Sequence, residues 1–375
     1  MNNTLGLYVH VPFCLKKCLY CDFCSFSQKK EEEMTAYTDA LLQEMTFYAE
    51  RARGRTVDTV FFGGGTPTLL PSFLFERVWE ALHSLYSVSK DAEITVEANP
   101  ASASEEKLLL LRSFGVNRLS IGAQSFADEE LRALGRVHSA NEAKTFYQAA
   151  RRAGFSNINL DLMYGIPHQT PSSFAKSMEQ AISLAPEHLS VYSLMLEEGT
   201  PFYQMQQSLS LPDEDAETEM TELLLSKMKA AGYERYEISN YAKPSFASRH
   251  NLRYWRNEEY LGFGVSAYSY FDGVRYGNHR DFSLYCQSPL DCVVEREELT
   301  QEDKAYEYVM TRFRLKEGVS LAEYQALFGV SFEERYRIEI SRFAALGLLE
   351  RENNRIFLND KGMALSNTVL VDFMP

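Results

Sequence analysis

Apolar and polar positions in the first two hundred residues alternate between short runs and longer stretches of helical period. LGLYVHVPF (5–13), VDTVFFGGG (57–65), EITVEAN (93–99), RLSIGAQ (118–124), INLDLMYG (158–165) and HLSVYSLMLE (188–197) predict strands. They are β-branched, aromatic and nearly continuous in apolar character, as strands buried on both faces are. Between them, residues 32–50, 72–87, 104–114, 141–153 and 172–185 predict helices. Ser72, Ser104 and Ser172 are the expected N-caps, and Gly115 and Gly154 the expected helix stops. Strands alternating with helices in this way predict a parallel sheet with helices outside it. Six such units fall short of a complete eight-fold barrel. The expected fold is α/β, an open, partial (β/α)6 barrel.

The rhythm changes after residue 200. A helix over about 213–231 leads into an aromatic-rich stretch, 233–271, that contains HNLRYW (250–255). From about residue 300 a helical segment, EYQALFG, a helix over 333–346 and the hairpin-like LLERENNRIFL (348–358) predict a small, mainly helical, winged-helix-like domain. The expected domains are a barrel core over 1–200, an aromatic-rich extension over 201–295 and a C-terminal domain over 296–375.

Composition narrows the function classes. The chain has 375 residues, 45% hydrophobic and 24% charged, ordinary for a globular protein large enough to bury a core without disulfides. Its net charge is −14, from 38 Lys+Arg against 52 Asp+Glu, which argues against a nucleic-acid surface. Acids and bases are roughly balanced in the last 75 residues, so the winged element reads as packing rather than as a DNA reader. The N-terminus lacks the pattern of a signal peptide, and no apolar run is long enough for a membrane span. A reducing cytoplasm is the expected location.

Four of the six cysteines fall in CLKKCLYCDFC (14–24). Thiols this close in a reducing compartment hold metal. Structural zinc prefers paired ligands separated by a longer loop, whereas a [4Fe–4S] cluster takes thiolates from one compact loop. FFGGGTPTLL (61–70) ends the second strand, and its glycines let backbone approach a ligand closely; a tight βα turn is the alternative. Glu97, Gln124 and Asp161 each interrupt a strand that should be buried. A buried carboxylate needs a partner, so a structural ion pair or a cap competes with a ligand role. In a βα barrel the C-terminal strand ends share one mouth, where sites form. Arg136, in LGRVHS, follows the fourth strand and suits a ligand carboxylate. Cys286 and Cys292 read as ordinary buried thiols.

The spacing C-x3-C-x2-C of Cys14, Cys18 and Cys21 is the signature of radical S-adenosylmethionine (SAM) proteins. YVHVPFCLKKCLYCDF, FFGGGTPT, VEANP, RLSIGAQSF, LGRVHS, LDLMYGIPHQT and LSVYSLMLEEGTP together resemble the HemN/HemW family, from residue 5 to about 375. The resemblance implies that Cys14, Cys18 and Cys21 bind a [4Fe–4S] cluster flanked by Tyr8 and Tyr20. It further implies that Gly64, Gly65, Thr66, Glu97, Gln124, Arg136, Asp161 and Met195 contact SAM.

The family has two branches. The enzymatic, HemN-type branch is the oxygen-independent coproporphyrinogen III oxidase, which converts propionates to vinyl groups. It carries a C-x-C pattern after the third cysteine and a long N-terminal extension. Here Phe23 fills the second cysteine's place and Cys24 comes one residue late, and thirteen residues precede Cys14. The HemW-type branch has CDF at this point and an H-N-x-x-Y-W motif, here His250–Trp255. That branch implies heme binding and delivery to apo-hemoproteins, with membrane contact only through recipients and room for a homodimer. An exposed His250 beside aromatic rings would suit heme iron, and a helix would put Tyr254 on its face. A core histidine is the competing reading, and His10 is a second candidate with a structural or substrate-contact role.

Overall fold

Alternating side-chain direction along extended backbone governs the architecture. The computed structural model describes residues 3–374; residues 1, 2 and 375, within the first and last expected domains, lie outside the described residues. Strands β1 (Thr4–Val11), β2 (Thr56–Gly64), β3 (Ser87–Ala98), β4 (Arg118–Gln124), β5 (Ile158–Tyr164) and β6 (His188–Ser193) pair in parallel, in chain order. Helices Glu31–Ala49, Ser72–Leu85, Glu105–Phe114, Ala140–Arg152 and Pro171–Ser183 make the crossovers.

The strands are not continuously apolar in effect. Leu7, Val9, Phe62, Val96, Leu119, Ile121, Leu160, Leu162, Leu189 and Val191 face the helices and join the main buried core. Their alternate neighbours, among them Tyr8, Phe61, Glu97, Arg118, Ser120, Asn159, Asp161 and Ser190, face the barrel lumen. Each apolar side chain so buried contributes about 1.5–3 kcal/mol. The polar residues that read as interruptions are thus the inner face of a lined barrel.

Residues beyond 230 extend the same sheet. They supply β7 (Glu234–Arg235), β8 (Asn240–Ala242), β9 (Tyr260–Phe263), β10 (Tyr268–Phe271), β11 (Val274–Asn278) and β12 (Val293–Glu298). The twelve strands run in the order β12-β11-β10-β9-β1-β2-β3-β4-β5-β6-β8-β7, an open sheet with two edges. Strand β9 is a seventh parallel strand, paired to β1, which the six-unit reading lacks. It is four residues long and carries too little period to stand out.

Two of the expected caps differ. Ser104 does cap its helix, accepting from the Lys107 N–H at 3.3 Å. Ser72 instead sits inside its helix after Pro71, and its hydroxyl accepts from Lys107 Nζ at 3.3 Å. Thr170, followed by Pro171, replaces Ser172 as the cap of its helix. Gly115 closes its helix at φ 101°, where a Cβ would be strained. Strand β3 starts at Ser87, earlier than expected, and β6 ends at Ser193 rather than 197.

The C-terminal part builds its own core around Phe313, Tyr324, Phe332, Phe343 and Phe373. Its strands β13 (Val319–Ser320), β14 (Leu349–Glu352) and β15 (Arg355–Leu358) form an antiparallel sheet beside helices, the expected winged-helix-like arrangement. Asn353 and Asn354 turn the hairpin at φ 46° and 66°. The helix expected over 333–346 breaks at Tyr336 into Phe332–Arg335 and Arg337–Ala345.

Helix Arg249–Trp255 is pinned against the start of β1 and β2. Arg253, 2% exposed, pairs with Asp58, donates to the Glu259 carbonyl at 3.0 Å and lies where a Cβ on Gly6 would clash. Removing one partner of a buried pair costs about 3–5 kcal/mol. Arg253→Ala is therefore expected to lower the unfolding free energy by about 3 kcal/mol or more in urea melts; an unchanged midpoint would contradict this anchoring.

Candidate functional site

The cysteine loop hangs between β1 and the first helix and is closed at its base. Phe13–Cys14 pairs in parallel with Phe26–Ser27, and the Phe26 N–H donates to the Pro12 carbonyl at 2.7 Å. The Leu19 N–H donates to the Leu134 carbonyl at 3.1 Å, tying the loop tip to the segment after β4. Cys14, Cys18 and Cys21 then line one cavity with Tyr20, Gly64, Gly65, Thr66, Glu97, Gln124, Arg136 and Asp161. The structure brings these sequence-predicted residues together at the C-terminal strand ends.

The glycine run serves close packing as well as the cavity. A Cβ on Gly65 would fall 2.7 Å from the Phe13 carbonyl oxygen, and one on Gly64 (φ 108°) would strike the His10 ring. The run lets β2 abut the base of the cysteine loop, and this protein contact joins the ligand approach as its reason. Arg136 donates from Nη1 to Cys18 Sγ at 3.5 Å and from Nη2 to the Gly122 carbonyl at 2.6 Å, and its buried Nε has no partner among the described residues. Burial pushes the Cys21 thiol up to about 11 and raises that of Cys14, so metal loading must expel protons. Among the described residues no group of three or more His, Cys, Asp or Glu side chains is already gathered around one metal-ion position. Three thiols spaced around one cavity, beside a cationic guanidinium, fit a larger anionic cluster.

Cys24 faces elsewhere. It is buried, its Sγ donates to the Arg280 carbonyl at 3.5 Å, and it lines a separate hollow with His10, Tyr260, Tyr268 and Arg280. Cys292 is also buried, donating to the Ser288 carbonyl at 3.1 Å. Phe23, 64% exposed, stands where the cysteine cavity, the lumen and this hollow meet.

Below the mouth lies the barrel lumen, a cavity of about 450 Å3 lined by Tyr8, Tyr20, Phe61, Arg118, Asn159, Tyr192, His250 and Tyr254 among others. Glu97, Gln124 and Asp161 border both spaces. The Gly64 N–H donates to Glu97 at 3.1 Å, and burial, with Asp161 nearby, pushes the Glu97 carboxyl up to about 8. Asp161 accepts from Asn159 Nδ2 at 2.7 Å, and burial raises its carboxyl too. Gln124 has φ 65° where the β4–β5 register shifts, a strained backbone of the kind that collects at ligand sites.

Three predicted residues sit differently from expectation. His250 is not exposed but 1% accessible, with Nδ1 against the Thr59 hydroxyl at 2.9 Å and Nε2 against the Tyr254 hydroxyl at 2.8 Å. Burial lowers its pKa to about 3, leaving the neutral imidazole that binds metal. Tyr254 does share its helix face, with ring centroids 5.0 Å apart. Met195 lines neither cavity and is 64% exposed, because β6 ends at Ser193 and the chain turns outward. Tyr8 borders the lumen rather than the cysteine cavity and donates to His10 Nδ1 at 2.9 Å. His10, with Nε2 bonded to the Cys24 carbonyl at 2.8 Å, is a structural tie. Sequence reasoning missed Arg118, Phe61, Asn159 and Tyr192; the alternate-position pattern of their strands was the available signal.

The Glu97 carboxyl binds its proton near pH 8 when folded, against an ordinary value of 4.5. A raised folded value contributes stability that is present below the unfolded value and lost as pH rises through the folded one. Glu97→Gln should therefore gain stability relative to wild type as pH rises from about 5 to about 9 in thermal melts of cluster-free protein. Curves that stay parallel across that window would contradict a buried neutral carboxyl.

Comparison with known proteins agrees with this geometry. The radical SAM superfamily is matched over residues 8–181 and the HemN C-terminal domain over residues 299–365. The heme chaperone HemW of Bacillus subtilis is 38% identical over 98% of each chain. That of Escherichia coli is 37% identical over 95% of this chain and 96% of its own. Among solved structures, coproporphyrinogen III oxidase (HemN) from Escherichia coli, a radical SAM enzyme, superposes with a TM-score of 0.87 at 26% identity, covering 99% of this chain and 90% of its own. With relatives above 30% identity along nearly its whole length, the chain belongs to the heme chaperone HemW family of radical SAM proteins.

Proposed function

We propose that this protein binds heme and delivers it to apo-hemoproteins, carrying a [4Fe–4S] cluster on Cys14, Cys18 and Cys21 with SAM at the adjoining mouth. The observation that carries the reading is the junction of a three-thiol cavity with a lumen of about 450 Å3 walled by tyrosines and a neutral histidine. A cluster held by three thiolates supplies an iron with an open position for SAM. Arg136 donates to Cys18 Sγ and offers charge to a ligand carboxylate. Gly64, Gly65 and Thr66 border the ligand, while Glu97, Gln124 and Asp161 present polar atoms to it. Met195, outward in this structure, reaches SAM only if its loop folds inward.

His250 is the proposed iron ligand, through Nε2. That nitrogen faces the Tyr254 hydroxyl, so ligation requires Tyr254 to swing away, which couples heme entry to movement of a ring on helix Arg249–Trp255. The recipients are apo-hemoproteins, through which any peripheral membrane contact would come, and a reducing cytoplasm suits six cysteines that form no disulfide. The division at about residues 200 and 295 and a homodimer are further parts of the proposal.

The second reading is oxidative decarboxylation of coproporphyrinogen III, favoured by the overall likeness to the HemN enzyme. Phe23, at the place of the enzymatic branch's extra cysteine, weighs against it. An anaerobic assay that yields vinyl porphyrinogen would reverse the order of the two readings.

Cluster-loaded wild type should take up one heme per chain and release it to an apo-acceptor, followed by visible absorption; absence of uptake would contradict the proposal. Cys14→Ser, Cys18→Ser or Cys21→Ser should each remove most of the about four irons per chain, whereas Cys24→Ser should leave iron unchanged. His250→Ala should weaken heme binding about tenfold or more, and an unaltered heme spectrum would rule it out as the ligand.

A further inference from the structure

Arg118 opens β4, and its alternate neighbours Ser120, Gly122 and Gln124 run up the same inner face to the mouth. The side chain is 2% exposed and lines the lumen. Its buried Nε has no hydrogen-bond partner among the described residues, and it enters none of the ion pairs they form. It is also the sole Lys or Arg among the described residues around the lumen. Burial raises the Glu97 and Asp161 carboxyls, and the charge of Arg118 reaches both and lowers them in part, yet neither closes an ion pair with it among the described residues, so the guanidinium lacks a direct charged partner. An uncommitted cation of this kind is a site for an anion.

The neighbouring polar groups are already engaged. Asn159 gives its amide to Asp161 at 2.7 Å and to Ser120 at 2.8 Å, and its oxygen takes His188 at 2.6 Å and Ser190 at 3.1 Å. Glu97 is held by the Gly64 N–H, and burial shifts its carboxyl toward the neutral form, reducing repulsion of an incoming anion. The mouth has a separate cation. Arg136 is anchored on the Gly122 carbonyl, four residues along β4 from Arg118, roughly 13 Å away at strand rise. The carboxylate of SAM therefore has a partner at the mouth, and Arg118 lies too deep to share it.

We propose that Arg118 is the floor of the lumen's ligand site and receives a propionate carboxylate of the tetrapyrrole held there. The inference rests on the heme-binding reading above and specifies which end of the ligand enters first: the carboxylate edge points down the barrel toward Arg118, and the ring lies among Tyr8, Phe61 and Tyr254. The pairing is a charge-assisted hydrogen bond, bidentate where the fork of the guanidinium permits.

The test is titration of cluster-loaded, full-length wild type, Arg118→Met and Arg118→Lys with heme, with heme dimethyl ester, whose carboxylates are blocked, and with SAM. Arg118→Met should weaken heme about tenfold to hundredfold while leaving the ester and SAM within about threefold of wild type. Arg118→Lys should restore part of the loss. Arg118→Met should also melt no lower than wild type, because it removes an unpaired buried charge. Unchanged heme affinity, or an equal loss for the ester, would overturn the assignment while leaving heme binding in place. A selective loss of SAM would move the receptor to SAM and overturn it as well. A large drop in melting temperature would show that Arg118 is structural. Wild type that takes up no heme would remove both readings.

Discussion

The constraint on which the molecule depends is the two-residue alternation of β1–β6. Leucine, valine and isoleucine at one set of positions bury against the crossover helices. The other set must then point inward, whatever its chemistry. In this chain it is polar and aromatic, and the result is a lined cavity rather than a packed centre. A barrel interior filled with aliphatic layers would hold no ligand. Here the inner face has to satisfy its own hydrogen bonds, and the linkage of Asn159, Asp161, Ser120, Ser190 and His188 does much of that.

The mouth depends on a second constraint, the close contact of two chain segments. Gly65 gives up a side chain so that β2 can abut the backbone of Phe13, and Gly64 makes room for His10. His10 in turn joins Tyr8 to the carbonyl of Cys24. The far end of the cysteine loop is therefore fixed from inside the barrel. This explains how four neighbouring cysteines divide: three turn to the cavity of Gly64 and Thr66, while the fourth is drawn down toward Arg280.

Much of this was legible in the residues. The six strands and their helices follow from apolar runs and their spacing. The cysteine loop, Gly64–Thr66, Glu97, Gln124, Arg136 and Asp161 do meet at one mouth, because parallel βα units put their strand ends together. What escaped was of two kinds. Inner-face residues such as Arg118 and Phe61 passed unremarked within runs read as buried on both faces, when their spacing of two was itself the signal. Tertiary partners were invisible: nothing local says that Thr59 will take the second nitrogen of His250, or that YLGF will pair with β1 from about 250 residues away. Met195 lay beyond a strand end that its apolar neighbours concealed.

The central claim is that the lumen, not the outer surface, holds heme next to the cluster. The most direct measurement is a crystal structure of the cluster-loaded protein with heme bound. The account predicts iron within bonding distance of His250 Nε2, the Tyr254 hydroxyl displaced, and the macrocycle inside the barrel. Heme bound on the exterior, with His250 still hydrogen-bonded to Thr59 and Tyr254, would contradict it.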